Sequence, residues 1–239
     1  MPRFYCTRPV DGIARIEGED ARHITKSLRM TPGERVTVCD GACHDYLCEI
    51  ESVGETVVLK VLEQRDSESE PTIDLHLYQA LPKGEKMEFI IQKAVELGAA
   101  SVTPVLTSRC ISRPDFKSME KKLLRFQKIA LEAAKQCGRG RIPQVRPLLS
   151  FDEMLLEQTR YDISIMFYEC GGLPLQKLLM PQYREISLLV GSEGGFSETE
   201  AMQAEAGGMK TATLGKRILR CETAPVAGIS IIMNLTGNM

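Results

Sequence analysis

The chain has no run of about 18 apolar residues, the length a membrane-spanning helix needs. Its start, MPRFYCTRPVDG, lacks the apolar core of a secretion signal. A cytoplasmic protein is therefore the expectation, and its eight cysteines are expected to stay reduced. There is no paired C-x-x-C knuckle. Cys39, Cys43 and Cys48 are separated by three and four residues, which suits buried or half-buried thiols better than a zinc module, so no metal is assigned. Large net charge is also missing: the balance is −2, which by itself points to no polyanionic partner. Neither G-x-G-x-x-G nor a Walker A sequence occurs, which argues against a nicotinamide-dependent oxidoreductase and against a phosphate cradle.

What is present is unevenly distributed. Between Lys117 and Arg146 stand nine Lys or Arg against Glu120 and Glu132, a local charge of +7 that leaves −9 for the remainder. Such a zone is either a nucleic-acid footprint or the solvated face of a helix. Apolar content of 43% and charged content of 26% are ordinary for a globular chain. At 239 residues it has room for one large domain or for a small and a larger one.

Two domains are expected from the patterning. In residues 1–70, RVTVC, YLCEI and VVLKVLE alternate with period two, which predicts a small β-rich, barrel-like unit interrupted by one helix near 19–28. The polar QRDSESEPT at 64–72 reads as the linker. In residues 71–239, strand-like runs such as IDLHLYQAL, SVTPVLT, YDISIMFYE, EISLLVG and TATLG alternate with helical segments near 84–97, 118–137, 150–158, 197–207 and 223–236. That alternation predicts an α/β domain with a mostly parallel sheet. Ser150 with Glu153, and Ser197 with Glu200, fit the capping box, and Thr223 is the expected cap of the last helix. Leu123, Phe126, Ala130, Ala133 and Cys137 recur at helical spacing and predict one buried stripe on the basic helix.

Ligands of open α/β sheets sit beyond the carboxyl ends of the strands, and two loops qualify. One is Gly191-Ser192-Glu193-Gly194-Gly195, the other LGKRILRCETA at 214–224. Glycines let the backbone approach a ligand closely, while Glu193 would repel a phosphate. A ligand with positive charge beside a purine nucleoside, such as S-adenosylmethionine, suits the first loop. A tight turn with a solvated carboxylate is the other reading.

Together, LLVGSEGGFSETE and LGKRILRCETAPVAGISIIMNL resemble the RsmE family of small-subunit ribosomal RNA methyltransferases, which methylate N3 of a uridine. HITKSLRM at 23–30, KGEKMEFIIQKAVELGAASVTPVLTSRC at 83–110 and ALEAAKQCGRGRIPQV at 130–145 are similar to the same family, in the same order. The resemblance implies a SPOUT-type α/β domain with a C-terminal trefoil knot, a PUA-like N-terminal barrel and a homodimer. It implies S-adenosylmethionine held around Glu169, Val190, Gly191, Glu193, Gly194, Gly195, Leu214, Gly215, Ile218, Leu219, Arg220 and Thr223. Arg139 and Arg220 are the candidates for stabilising charge on the reacting uracil, and Glu169 or Glu193 for taking its proton, unless hydroxide suffices. 16S rRNA, within an assembled small subunit, is the implied partner, with neither DNA nor membrane. Contacts are expected from Arg8, Arg22, His23, Arg29, Lys83, Lys86, Lys93, Arg109, Gln136, Arg139 and Arg141. The family loop usually reads G-P-E-G-G; Ser192 stands at the proline, at a cost in rigidity of about a few tenths to 1 kcal/mol. A non-catalytic RNA-binding assembly factor and a methyltransferase for another RNA remain the alternative readings.

Overall fold

The computed structural model describes residues 2–239. The chain divides into two compact units, residues 1–70 with 134–142, and residues 71–133 with 143–239. Among the described residues no helix is long and apolar enough to cross a membrane.

In the first unit, β1 (Arg3–Tyr5) and β2 (Ile13–Ile16) are followed by a short helix, α1 (Gly18–Arg22). The single helix expected near 19–28 is in fact split, because α1 passes into a π turn over His23–Ser27, where Leu28 N–H bonds back to the His23 carbonyl. The wider turn leaves Arg22, His23, Lys26 and Arg29 all exposed. Then come β3 (Arg35–Cys39), β4 (His44–Ser52) and β5 (Val57–Asp66), and the sheet order is β1-β3-β4-β5-β2. The alternating apolar residues of these strands face one core: Val36, Val38, Tyr46, Cys48, Ile50, Val57 and Leu59, closed by Phe4, Ile16 and Ile24. Two register shifts between β4 and β5 bend the ribbon around it.

The second unit is a sheet in which every pairing is parallel. Its elements are β6 (Asp74–Ala80), α2 (Lys86–Glu96), β7 (Ser101–Leu106), α3 (Phe116–Cys137, whose residues 134–137 belong to the first unit), β8 (Gln144–Val145), β9 (Leu149–Ser150), α4 (Phe151–Glu157), β10 (Ile163–Phe167), β11 (Leu173–Pro174), β12 (Glu185–Val190), α5 (Glu198–Ala206), β13 (Lys210–Thr213) and α6 (Thr223–Leu235). Strands run in the order β11-β13-β10-β12-β6-β7-β8, with β9 also beside β7. The two-residue strands β8, β9 and β11 carry too few residues to show a period and escape sequence reading. Buried on both faces, β10 is ISIMF and β12 ends ISLLV, near-continuous apolar runs as parallel strands require.

Both capping boxes form: Ser150 accepts from Glu153 N–H, and Ser197 from Glu200 N–H. Thr223 is no cap. It is the first residue of α6, whose cap position is Glu222 with no side-chain bond, and the Arg220 carbonyl takes the Thr223 and Ala224 N–H groups at 2.9 Å. On α3, Phe126, Ala130 and Ala133 are buried as expected and Leu123 only half-buried, but Cys137 is exposed and Met119 and Ala134 complete the stripe. The reason is that Cys137 ends the helix, one residue before Gly138 at φ +76°, and has no following turn to cover it.

Residues 134–142, which read as part of the α/β domain, pack within the first unit. Glu70 explains this. Its carboxylate takes Arg139 Nε at 2.9 Å and Nη2 at 2.8 Å, the Gly140 N–H at 2.7 Å and an ion pair from Arg141 at 3.0 Å. Burial alone would raise its pKa, but the Arg139 guanidinium and the Gly140 N–H outweigh that and lower it. A lowered carboxylate pKa contributes stability that is full above the unfolded value and lost as pH falls through the folded one. Glu70→Ala is expected to lower stability at pH 7 by about 3 kcal/mol, since it breaks a buried pair. Urea unfolding should also show a flatter loss of stability below pH 4 than in the parent chain.

Candidate active site

β13, β10 and β12 lie side by side, so the loops leaving their carboxyl ends converge although they are far apart in sequence. Between them is a cleft of about 610 Å³. After β10 come Tyr168 and Glu169; after β12, Gly191 to Gly195; after β13, Leu214 to Arg220. Of the residues expected to hold a cofactor, Glu169, Val190, Gly191, Glu193, Gly194, Gly195, Leu214, Gly215, Ile218, Leu219 and Arg220 line this cleft. Thr223, the first residue of α6, does not, although the next residue, Ala224, does.

The glycine loop is a tight turn in which the Gly195 N–H bonds to the Ser192 carbonyl at 3.0 Å. Gly195 has φ +64°, and a Cβ there would stand 2.5 Å from Glu169 Oε1. Arg109, expected on RNA, donates from Nη1 to the Gly194 carbonyl at 3.0 Å. Ser192 is buried, and its hydroxyl has no hydrogen-bond partner among the described residues.

The carboxylate between the glycines acts as a clasp. Glu193 accepts Lys86 Nζ at 2.9 Å and the Lys83 N–H at 3.2 Å. Lys86 also meets Glu222 at 3.3 Å, so one ammonium joins the glycine loop to the start of α6. Burial would raise the Glu193 pKa, yet Lys86 and neighbouring N–H groups lower it overall, and the Lys86 pKa is raised, chiefly by its bond to Glu193. Glu193 is thus ionised and a poor proton acceptor near neutrality. Beneath the clasp lies Cys221, a buried thiol that burial and Glu222 push up to about 12, which keeps it protonated.

The two candidate arginines part company. Arg220 is an exposed residue of the cleft wall and makes no ion pair with any described residue, while nearby Glu222 pairs with Lys86. Arg139 is 3% exposed, bound to Glu70 in the first unit, and does not line the cleft. Its expected role at the reacting base meets a guanidinium already engaged. Of the other candidates for RNA contact, Arg8, Arg22, His23, Arg29, Lys83 and Gln136 are exposed; Lys93 pairs with Glu96 at 2.8 Å and Arg141 with Glu70. Sequence reading passed over Phe167, Tyr168, Phe196 and Cys221, all of which line the cleft. Their positions flanking the glycine loop and Glu169 were the available signal.

Residues 68–233 match the family model of the RNA methyltransferase domain, and residues 16–62 that of the RNA methyltransferase PUA domain. The chain is 34% identical to ribosomal RNA small subunit methyltransferase E of Bacillus subtilis, across 91% of this chain and 88% of that protein. The chain belongs to the RsmE family. A Buchnera aphidicola member is 27% identical across all of this chain and 95% of its own. The crystal structure of the Neisseria gonorrhoeae member, bound to S-adenosyl methionine, superposes with a TM-score of 0.88 at 31% identity and 98% coverage of both chains. RsmE membership accounts for the α/β SPOUT fold and the PUA-like first unit together.

Gly195→Ala should be poorly tolerated, since the left-handed backbone costs an L-residue about 1–2 kcal/mol before Glu169 has to move. A fall in melting temperature of roughly 2–8 °C in a thermal scan is the expected outcome for a chain of this size.

Proposed function

We propose that this cleft binds S-adenosylmethionine and that the protein transfers its methyl group to N3 of a uridine in 16S rRNA. The observation that carries the reading is the convergence of the three loops on one half-polar cleft whose volume suits a ligand of that size. The lining fits the group: Gly191 and Gly195 allow close backbone approach, and Glu169 and Glu193 put negative charge where a sulfonium and an amino group would need it. When bound, the cofactor supplies an electrophilic methyl on sulfur.

The remaining chemistry falls to the chain and the RNA. Uracil N3 carries a proton at the Watson–Crick edge, so the nucleotide must be unpaired or drawn from its stack. As that proton leaves, negative charge spreads to the carbonyl oxygens, and Arg220 is the cleft guanidinium available to stabilise it. Glu169 is better suited than Glu193 to accept the proton, because Lys86 holds the latter ionised and engaged. Arg139 acts instead by ordering the 136–141 segment through Glu70. Arg8, Arg22, His23 and Arg29 on the first unit, with Lys83 and the exposed Lys117, Lys121 and Lys128 of α3, supply phosphate contacts. The working form is a cytoplasmic homodimer acting on the assembled small subunit, and the half-buried Val226, Ala227 and Ile231 of α6 offer an apolar surface for the partner. The C-terminal segment is knotted. Supporting this, β13 adds outside β10 and α6 then packs back on α2 and β6.

Small subunits from a strain lacking the protein, incubated with it and S-adenosylmethionine, should yield N3-methyluridine by nucleoside mass spectrometry. Binding of the cofactor without that product would shift the target to another RNA, and no binding would favour a non-catalytic assembly factor. Arg220→Ala should lower kcat by roughly 10²-fold or more, as for loss of one transition-state donor, with little change in cofactor affinity. Sedimentation of a monomer at micromolar concentration would remove the dimer.

A further inference from the structure

Gln79 is the last polar residue one would expect where it sits. It lies near the end of β6, is fully buried, and is flanked by Tyr78 and Ala80, which are equally buried. Its neighbour across the ladder is Val190, the last residue of β12 and the point where the glycine loop begins. Burying a primary amide in such a place is costly unless it is bonded, and an aliphatic side chain would fill the space more cheaply.

The amide is used in one direction only. Nε2 donates to the Ala80 carbonyl at 3.0 Å and the Gly191 carbonyl at 3.1 Å, with the Val190 carbonyl at 3.5 Å. Oε1 has no partner among the described residues. Carbonyl oxygens surrounding the nitrogen fix which end of the amide points at them, since the flipped group would set oxygen against oxygen. The β6–β12 ladder stops at Val190, and beyond it the strand has no facing N–H to receive the loop's first carbonyls. The Gln79 side chain takes over that function and ties Gly191 down on the floor of the cleft.

We propose that Gln79 is a positioning residue for the cofactor: it does not line the cleft, but by holding the Gly191 carbonyl it sets the path of the loop from Gly191 to Gly195 that does. The orphaned Oε1 is the cost of using an amide, which is the smallest neutral side chain able to present two N–H groups to carbonyls at that reach. The inference rests on the S-adenosylmethionine reading of the cleft.

Two variants test it, Gln79→Leu and Gln79→Glu, each measured by calorimetric titration with S-adenosylmethionine and by KM and kcat, with folding followed by circular dichroism. Gln79→Leu should remain folded and weaken cofactor binding by roughly tenfold, the affinity equivalent of about one hydrogen bond, with the change in KM rather than kcat. Gln79→Glu presents a carboxylate to carbonyl oxygens at pH 8 and should bind as weakly. At pH 5.5 its protonated form regains an O–H donor, so its affinity relative to the parent at the same pH should recover. Unchanged affinity in both variants, or a loss in Gln79→Glu that does not depend on pH, would overturn the proposal. Failure of the parent protein to bind S-adenosylmethionine would instead sink the cofactor reading.

Discussion

Everything at the cleft depends on β13 joining the outer side of β10, one strand away from β12. Parallel strands end at one edge, so this order gathers loops that leave the chain at residues 168, 191 and 214. Had β13 added at the far end of the sheet, beyond β7, the glycine loop and the LGKRILRCETA loop would not meet. The crossover also returns α6 across α2 and β6, where Gly228 leaves room for the Phe167 ring that a Cβ would strike. Backbone topology thus comes before any side-chain chemistry.

Charge then closes what topology brings together. Lys86 stands between Glu193 and Glu222, one from each loop, and an ammonium between two carboxylates holds them at a distance set by its own size. Partial exposure makes each pair worth little to global stability, since water screens it. Its effect is local order in a part of the structure otherwise built of glycine. A loop with several glycines has much conformational freedom to lose, and three tethers limit it: the clasp, the Arg109 bond to Gly194 and the Gln79 bond to Gly191. The carboxylate that argues against a phosphate cradle is therefore a structural anchor first, and only secondarily a source of negative potential.

The first unit follows the same economy. Glu70 is a half-buried carboxylate at the boundary of a polar linker, and it captures the 139–141 turn through side-chain and backbone donors at once. Buried ion pairs are weak evidence for stability in general, but here the pair also specifies which unit a remote segment joins. A segment that is basic in sequence is in this way partly neutralised, and the exposed charge of α3 is concentrated earlier, around Lys117, Lys121 and Lys128.

Local patterning was sufficient for the longer strands and helices, though not for the two-residue strands or the π turn after α1. Period-two runs became β3 to β5, apolar runs became β6, β7, β10 and β12, and both S-x-x-E boxes start helices, because these features depend on residues within one or two turns of each other. The glycine loop and the Leu214–Arg220 loop, which line the cleft, stood out for the same reason, through composition and position after a strand. What the sequence could not contain was any pairing between distant residues. The engagement of Arg139 by Glu70, the Lys86 clasp and the Gln79 bond to Gly191 all arise from contacts across tens of residues. Such contacts follow from strand order, and strand order is decided by the packing of the whole chain.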